Sequence, residues 1–507
     1  MCFFCFICNV FKHTKNNNPN RNCMSGFKRE IKLFDAVMLV SGSMIGSGIF
    51  VVSAAVARQT GSAGWLLCSW VLAGVLTMTG ALCYGELTSM YPQAGGQYVF
   101  LQKAYGRLLA FLYGWSFFAV IQTGTIAAVA VAFAKYTGVL FPSVINDTDV
   151  WMALGDTSFK ITPQRVLAIF SIILLTWANT NGVNYGKIIQ NIFSSTKLVA
   201  IGLLIILGFA LGANADVISL NFGDMFTPSK SESIDGVLSV TNLSFLGIIV
   251  ALGVTQVGTL FSSDAWNGLT FAGDEVVNPK KTIPRGMAIG TILVTVLYFL
   301  MNLSYLSILP LKGDPNGVDV MARGIQFASE DRVAAATAII IGGAKFAIFV
   351  AILIMISTFG CNNGLILSGA RVYYTMAKDG LFFKSFGKLN TNGVPQNALW
   401  WQCFWACFLC FTGKYGDLLD YLMGVVILFY AFTIFGIFIL RKKEPSLERP
   451  VKAPLFPVLP ALYVFLSLSL VIILFFEKPQ FTIPGIFIVA IGIPVYYIFS
   501  KINKKVE

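Results

Sequence analysis

The stretch from Ser41 to Phe50 places three glycines and three serines inside an apolar segment long enough to cross a bilayer. Each glycine costs a helix roughly 1 kcal/mol relative to alanine, so a continuous helix is disfavoured here. In hydrocarbon, unpaired backbone groups are tolerated only beside protein or a water-filled cavity. We therefore expect the helix to break at this stretch and to use its free backbone groups for binding. The alternative is that the small residues permit close helix packing.

A second polar interruption lies in the sixth apolar segment, from Phe261 to Gly268. It contains Asp264 and Asn267, and such side chains at membrane depth are costly unless they face a cavity. Two interrupted spans in corresponding positions of two halves indicate a transporter site built on an inverted repeat. The second interruption therefore favours the broken-helix interpretation of the first.

The two ends of a broken helix carry opposite partial charges. The second half of the first span begins near Ser47 and Gly48, whose free N–H groups suit a carboxylate. The first half ends near Ser43, Met44 and Ile45, whose carbonyls suit an ammonium group. Carbonyls of the sixth span would complete the ammonium site, and they belong to Phe261, Ser262 and Ser263. We expect this arrangement to recognise the head group of a zwitterionic α-amino acid.

Lys197 is the second informative position. It lies about ten residues into the fifth span, roughly 15 Å deep at 1.5 Å per residue, and the first break lies at a similar depth. A lysine stem can extend to the membrane interface, but it reaches only about one helical turn. We expect a buried ammonium beside the break, which could occupy the position that a sodium ion fills in sodium-coupled transporters of such folds. If burial lowers its pKa, this group could also exchange a proton.

Polar side chains of two other spans are candidates for the pocket wall. Gln122 and Thr123 lie in the third span, and Asn362 and Asn363 lie in the eighth. Hydrogen bonding between helices explains these residues equally well.

Two charged features near the inner membrane face have competing interpretations. Glu86 could exchange a proton, but a structural ion pair is the favoured interpretation. Asp274 and Glu275 could form an inner gate with nearby basic residues, or they could be ordinary solvated loop residues. The basic residues are Lys280, Lys281 and Arg285.

Composition defines the class of protein. Of the 507 residues, 56% are hydrophobic and 12% are charged. Soluble domains carry about 25% charged residues, so we expect an all-α, polytopic membrane protein with about twelve transmembrane helices. The spans are 33–57, 64–90, 107–136, 163–183, 188–212, 243–277, 285–309, 333–377, 396–413, 415–440, 457–475 and 482–501. Two of them, 243–277 and 333–377, exceed one crossing and must tilt, break or extend beyond the membrane.

The predicted organisation is two five-helix repeats followed by two further helices. Basic residues concentrate in alternate loops, which places both termini in the cytoplasm. The net charge of +12 therefore reflects topology, and we expect no nucleic acid partner. The predicted segments are a cytoplasmic tail at 1–32, repeats at 33–212 and 243–440, the last two spans at 457–501 and a tail at 502–507. We expect translation to begin at Met24, because the preceding residues resemble no targeting signal.

Cofactor and metal chemistry has little support in the sequence. Cys2, Cys5 and Cys8 are spaced like metal ligands, but no second ligand pair follows them. His13 is the only histidine, and six of the ten cysteines lie in apolar segments. We expect no cofactor, no metal and no structural disulfide.

Several motifs in order along the chain resemble one family. The motifs are Gly46-Ser47-Gly48-Ile49-Phe50, Tyr84-Gly85-Glu86-Leu87, Pro92-Gln93-Ala94-Gly95-Gly96-Gln97-Tyr98, Lys197, Trp266-Asn267, Glu275-Val276-Val277-Asn278-Pro279, Ile283-Pro284-Arg285 and Phe359-Gly360-Cys361-Asn362-Asn363-Gly364. In these the chain resembles the amino acid–polyamine–organocation (APC) superfamily, nearest the L-type amino acid transporters and their bacterial homologues. The resemblance runs from about Phe27 to the final span.

The resemblance implies a five-plus-five inverted-repeat fold with broken first and sixth helices and alternating access. It implies a carboxylate site at Gly46, Ser47 and Gly48, and an amino-group site at Met44, Phe261 and Asp264. Phe261 would be the aromatic gate over the bound substrate. Lys197 matches the lysine that the family associates with sodium-independent transport.

The sequence also departs from the family pattern. Animal members often carry a cysteine, after the third span, that links them to a glycoprotein heavy chain. Residues 139–162 contain none, so we expect no disulfide-linked heavy chain. Gly268 lies where many relatives have a larger residue, so the shape of the side-chain pocket stays open.

The resulting expectation is a sodium-independent permease of the cell membrane that exchanges amino acids or couples them to protons. Small neutral amino acids are the expected substrates. Asp264 motivates an alternative, a carrier of cationic amino acids or polyamines. A membrane sensor or membrane-embedded enzyme is the distant alternative, because the tails are too short for a signalling domain and no catalytic side chains converge at one depth.

Overall fold

A computed structural model describes residues 29–93, 95–153, 159–180, 186–234, 237–412 and 415–504. The predicted start at Met24 and most of the tail 1–32 lie outside these residues. So do Cys2, Cys5, Cys8, His13 and the last three residues of the tail 502–507.

The described chain is predominantly helical. The first half comprises α1 (Leu33–Met44), α2 (Gly48–Thr60), α3 (Ala63–Met90), α4 (Gln97–Tyr105), α5 (Arg107–Ser116), α6 (Gln122–Leu140), α7 (Pro163–Thr180), α8 (Gly186–Leu207) and α9 (Ala215–Gly223). The second half comprises α10 (Phe245–Ser262), α11 (Gly268–Phe271), α12 (Pro279–Ile308), α13 (Val320–Arg323), α14 (Val333–Lys378), α15 (Gln396–Thr412), α16 (Tyr415–Lys443), α17 (Val458–Glu477) and α18 (Pro479–Lys504). Short π segments at Phe117–Ile121 and Gly208–Gly212 and 3₁₀ turns at Gly273–Glu275, Ser329–Asp331 and Lys384–Gly387 complete the helical elements.

Most of these helices can span a membrane. Among the described residues, nine helices are long and apolar enough to cross a bilayer, and the bent pair α1–α2 brings the number to ten. The two other predicted spans coincide with α7 and α15, which are not among these ten. The all-α polytopic class is confirmed, whereas the number twelve stays a prediction.

The first span breaks where the glycines and serines predict. Helix α1 ends at Met44, α2 begins at Gly48, and the two axes differ by 44°. Ile45 leaves the helical conformation with ψ 87°. Small residues also occupy this turn because space is short: a Cβ at Gly48 would overlap Ser262.

The two overlong spans are also interrupted. Helix α10 ends at Ser262, Ala265 takes a positive φ of 65°, and the short helix α11 follows from Gly268. Helix α14 runs for 46 residues, but Gly342 and Gly343 leave the helical conformation near its beginning. Gly343 has φ 70°, a conformation that glycine adopts without strain.

Close packing holds α1 against α12. Gly286 and Gly290 lie four residues apart on one face of α12, where they meet Ala36 and Val40. A Cβ at Gly290 would stand 2.5 Å from Val40 Cγ1, which is too close for any side chain without movement. Small residues at such interfaces let helix backbones approach each other, the usual basis of association in a membrane.

A buried ion pair ties α3 to the last turn of α16. Glu86 is fully buried and accepts two hydrogen bonds from Arg441, at 2.9 and 2.7 Å. The backbone N–H of Ala453 donates to the same carboxylate at 2.8 Å. These contacts support the structural interpretation of Glu86 over a proton-exchange site.

Two small hairpins lie outside the helical body. Strands β1 (Met152–Ala153) and β2 (Lys160–Ile161) pair antiparallel, as do β3 (Ser229–Ile234) and β4 (Val237–Asn242). Both hairpins occur in loops that the charge pattern places on the external side.

Candidate functional site

Lys197 stabilises the carbonyl end of the first break. Its side chain is 1% exposed, and its Nζ donates to the carbonyl oxygen of Gly42 at 2.7 Å. Gly42 lies in the last turn of α1, where the helix dipole is negative and favours a cation. The structure therefore places the ammonium group beside the break, as the sequence predicts. Its role in transport stays a prediction.

The other end of the break presents backbone amides. Phe50 N–H bonds to the Ser47 carbonyl at 3.1 Å. Across the described residues, no protein acceptor is recorded for the N–H groups of Ser47, Gly48 and Ile49. The first N–H groups of a helix, with its positive dipole end, form a ready anion site.

Tyr298 joins the two broken helices. Its hydroxyl lies 3.1 Å from the carbonyl oxygen of Met44 and 3.0 Å from that of Ser262. A phenol has one proton, so it can donate to only one of these carbonyls at a time. Each carbonyl also has two lone pairs, which leaves capacity for another donor. Tyr298 could not be singled out from the sequence, because a tyrosine within an apolar helix is indistinguishable from a core residue.

Polar groups of the second break are held by neighbouring helices. The Tyr430 hydroxyl donates a short hydrogen bond to Asp264 Oδ1. The Asn267 amide donates to Gln97 Oε1 at 3.3 Å, and Gln97 donates to Thr433 at 3.0 Å. Gln97 begins α4 immediately after Gly95 and Gly96, which both have positive φ. The turn at these two glycines therefore places a polar side chain at the site.

A cavity of about 630 Å³ lies between the two breaks. The predicted site residues on its wall are Ser43, Met44, Gly46, Ser47, Gly48, Gln122, Phe261, Ser262, Asp264, Asn267 and Asn363. The wall also contains residues that were not predicted as site residues: Gln97, Tyr113, Phe117, Phe429 and Tyr430. Aromatic residues are common in helix cores, so spacing alone could not single them out.

Five of the predicted residues lie off the cavity wall: Ile45, Thr123, Lys197, Ser263 and Asn362. Ile45 is fully buried. Thr123 is turned away, because its hydroxyl donates to the Phe118 carbonyl at 2.8 Å across the π segment. The expectation that Thr123 and Asn362 form the wall is therefore corrected: the structure places them behind it. Asn363 is on the wall, where the Asn179 amide donates to it at 2.8 Å.

The cavity is open at one end and closed at the other. Its lining extends to Glu30, Asp35 and Arg371, which the charge pattern places near the cytoplasm. At the opposite end, the Phe261 ring lies edge-on to Tyr415 with centroids 6.1 Å apart. The Ser47 hydroxyl donates to the Tyr415 hydroxyl at 3.0 Å, and Arg58 pairs with Asp331 at 2.6 Å beyond it.

The predicted inner gate has different partners. Glu275 pairs with Arg371 of α14 at 2.8 Å. Lys280 pairs with Glu448 at 2.9 Å, and both side chains are exposed. The charges near residue 280 therefore do not form one network with Glu275.

Two discontinuous helices that face a central cavity in a bundle of membrane-spanning helices define a secondary transporter. The comparison with known families agrees with this class. The chain belongs to the amino acid permease family, whose model matches residues 31–499. It is accordingly a multi-pass membrane protein and a transporter, not an enzyme.

Individual relatives are similar over nearly their whole length. The b(0,+)-type amino acid transporter 1 of Mus musculus is 27% identical, over 94% of this chain and 88% of the relative. Large neutral amino acids transporter small subunit 2 of Mus musculus is 29% identical, over 95% of this chain and 84% of the relative. Asc-type amino acid transporter 1 of Mus musculus is 28% identical, over 93% of this chain and 81% of the relative.

Proposed function

We propose that this permease carries small neutral L-amino acids across the cell membrane by alternating access, without sodium, as an exchanger or a proton symporter. The observation that carries the proposal is the first helix break. There the free amides of Ser47 and Gly48 and the carbonyl of Met44 line one cavity. A carboxylate at the amides and an ammonium at the carbonyls would match an α-amino acid head group.

Sodium independence rests on Lys197. Its Nζ donates a hydrogen bond of 2.7 Å to the Gly42 carbonyl oxygen, at the negative end of α1. A sodium ion at this end would lie beside a fixed positive charge in a poorly solvated interior, where like charges repel strongly. We therefore infer that the protonated Lys197 takes the place of a sodium ion at this end of the break.

Alternating access is supported by the asymmetry of the cavity. The open end includes Glu30 and Arg371, and Tyr415 and Phe261 close the other end. With the predicted topology, this is an inward-open state. Opening the Tyr415 contacts would expose the same breaks to the outside.

Reconstitution in liposomes tests the proposal. The purified protein is assayed for uptake of a panel of labelled amino acids, with and without internal amino acid, a sodium gradient and a proton gradient. Stimulation by internal amino acid indicates exchange, and stimulation by the proton gradient indicates symport. Uptake that requires sodium would contradict the role assigned to Lys197.

A cationic substrate is the second candidate, because Asp264 lines the cavity. Its carboxylate accepts a hydrogen bond from Tyr430 and retains further acceptor capacity for an ammonium or guanidinium group. If this candidate is right, Asp264→Asn abolishes arginine and lysine uptake and preserves uptake of neutral amino acids. Unchanged arginine and lysine uptake would reject it.

We also propose that the protein functions without a disulfide-linked heavy chain. Residues 139–162 contain no cysteine. Non-reducing electrophoresis of the protein from its native membrane should show no larger species that collapses on reduction.

A further inference from the structure

An ion pair stands at the cytoplasmic mouth of the central cavity. Glu275 follows α11 in the 3₁₀ turn Gly273–Glu275, and Arg371 lies on α14. Their side chains meet at 2.8 Å, and each is 19% exposed. The predicted binding site at the helix breaks lies deeper in the same cavity.

A second cavity of about 220 Å³ adjoins the first at this pair. Glu275 and Arg371 line both cavities, so the pair forms part of the boundary between them. Asp274 and Lys378 also line the second cavity, and Lys378 Nζ lies 5.5 Å from the centre of the Tyr374 ring. The wall therefore carries two acidic and two basic side chains.

The equal numbers of acidic and basic side chains indicate which class of ligand this wall could bind. A site for an anion would have excess positive charge, and a site for a cation would have excess negative charge. A wall with equal numbers of both suits a zwitterion, whose carboxylate bonds to a guanidinium and whose ammonium bonds to a carboxylate. Because a partly exposed ion pair contributes little net stability, a zwitterion can replace it without a large penalty.

We propose that Glu275 and Arg371 form a second amino acid site at the cytoplasmic mouth, which holds the substrate on its way to and from the helix breaks. The inference rests on the proposed function, because it takes an amino acid as the substrate. Arg371 binds the carboxylate and Glu275 binds the ammonium. The two residues exchange their mutual contact for contacts with the ligand.

A comparison of the two membrane faces tests this site. Transport of the panel amino acid with the highest uptake is measured in right-side-out and inside-out vesicles. We expect Arg371→Gln to raise KM on the cytoplasmic face about tenfold, the effect of losing a charged hydrogen-bond donor. KM on the external face should change less than about twofold. A substrate that enters from the external face reaches the cytoplasmic mouth only after it has been transported. The unchanged external KM also shows that the variant is folded.

Lys280→Gln is the matched control, because it removes a positive charge from an exposed ion pair that lines neither cavity. It should leave both KM values unchanged. Equal changes of KM on both faces in Arg371→Gln, or no change on either, would overturn the proposal and leave the transport function intact. If the unsubstituted protein transported no amino acid from either face, the proposed function itself would fail.

Discussion

Lys197 is almost completely buried, which is unusual for a lysine. An unpaired ammonium in a protein interior is strongly destabilised. Here the Gly42 carbonyl and the negative end of α1 offset that cost. The same contact satisfies a carbonyl that the break would otherwise leave unpaired. Lys197 therefore stabilises the break and, when it is protonated, gives this end of the break a positive charge.

Removal of Lys197 tests this dual role. Lys197→Ala leaves the Gly42 carbonyl without its donor and removes the fixed positive charge, so we expect uptake to fall at least about tenfold. Initial uptake rates in liposomes measure the effect. Lys345→Ala is the control, because Lys345 is an exposed lysine of α14. Normal uptake by Lys197→Ala would contradict the role of this residue.

Gly268 is a position where an added side chain would test how cavity volume limits substrate choice. It lines the cavity, and a Cβ built there meets no atom within 4 Å. Gly268→Leu should therefore fit and fill part of the cavity. We expect uptake of leucine and phenylalanine to fall roughly tenfold or more, whereas uptake of alanine is retained, since pocket volume discriminates by side-chain size.

The measurement is competition by each amino acid against the uptake of labelled alanine. Gly268→Ala is the conservative control and should change the profile little. An unaltered profile in Gly268→Leu would show that the substrate side chain does not extend toward this position.

At the scale of elements, local sequence predicts where helices end but not which helices meet. Both breaks were predictable, because glycine, serine and aspartate oppose a continuous helix in hydrocarbon. The position of Lys197 beside the first break was predictable from helical rise. Tyr298 and the Glu275–Arg371 pair were not, because residues more than thirty positions apart meet only through tertiary packing. The orientation of Thr123 depends on the π segment before it, which has no clear sequence signal.

The α1–α12 interface offers a stability prediction. Gly290→Leu would force a side chain against Val40, and overpacking of this kind costs about 1–3 kcal/mol. Thermal unfolding of the purified protein in detergent should show a lower midpoint. Gly202→Ala on α8 is the control, because a Cβ there meets no atom within 4 Å. An unchanged midpoint for Gly290→Leu would show that α1 can move away from α12 at little cost.

At the scale of the whole molecule, one cavity connects the two breaks to the predicted cytoplasmic face. Its external end is closed by contacts of Tyr415 with Ser47 and Phe261. Ser47 thus belongs to the proposed carboxylate site and to the closed external end. A substrate bound at Ser47 and Gly48 would therefore contact a residue that also helps to close the external end of the cavity. This sharing offers a direct physical link between binding and closure.

The proposed function requires the substrate head group to bind at the first helix break. A cryo-electron microscopy structure of the protein saturated with its best substrate would locate it. We expect the carboxylate within hydrogen-bonding distance of the Ser47 and Gly48 amides, at roughly 2.7–3.2 Å, and the ammonium beside the Met44 and Ser262 carbonyls. A head group bound elsewhere in the cavity, with these amides unoccupied, would contradict the assignment of the first break as the head-group site.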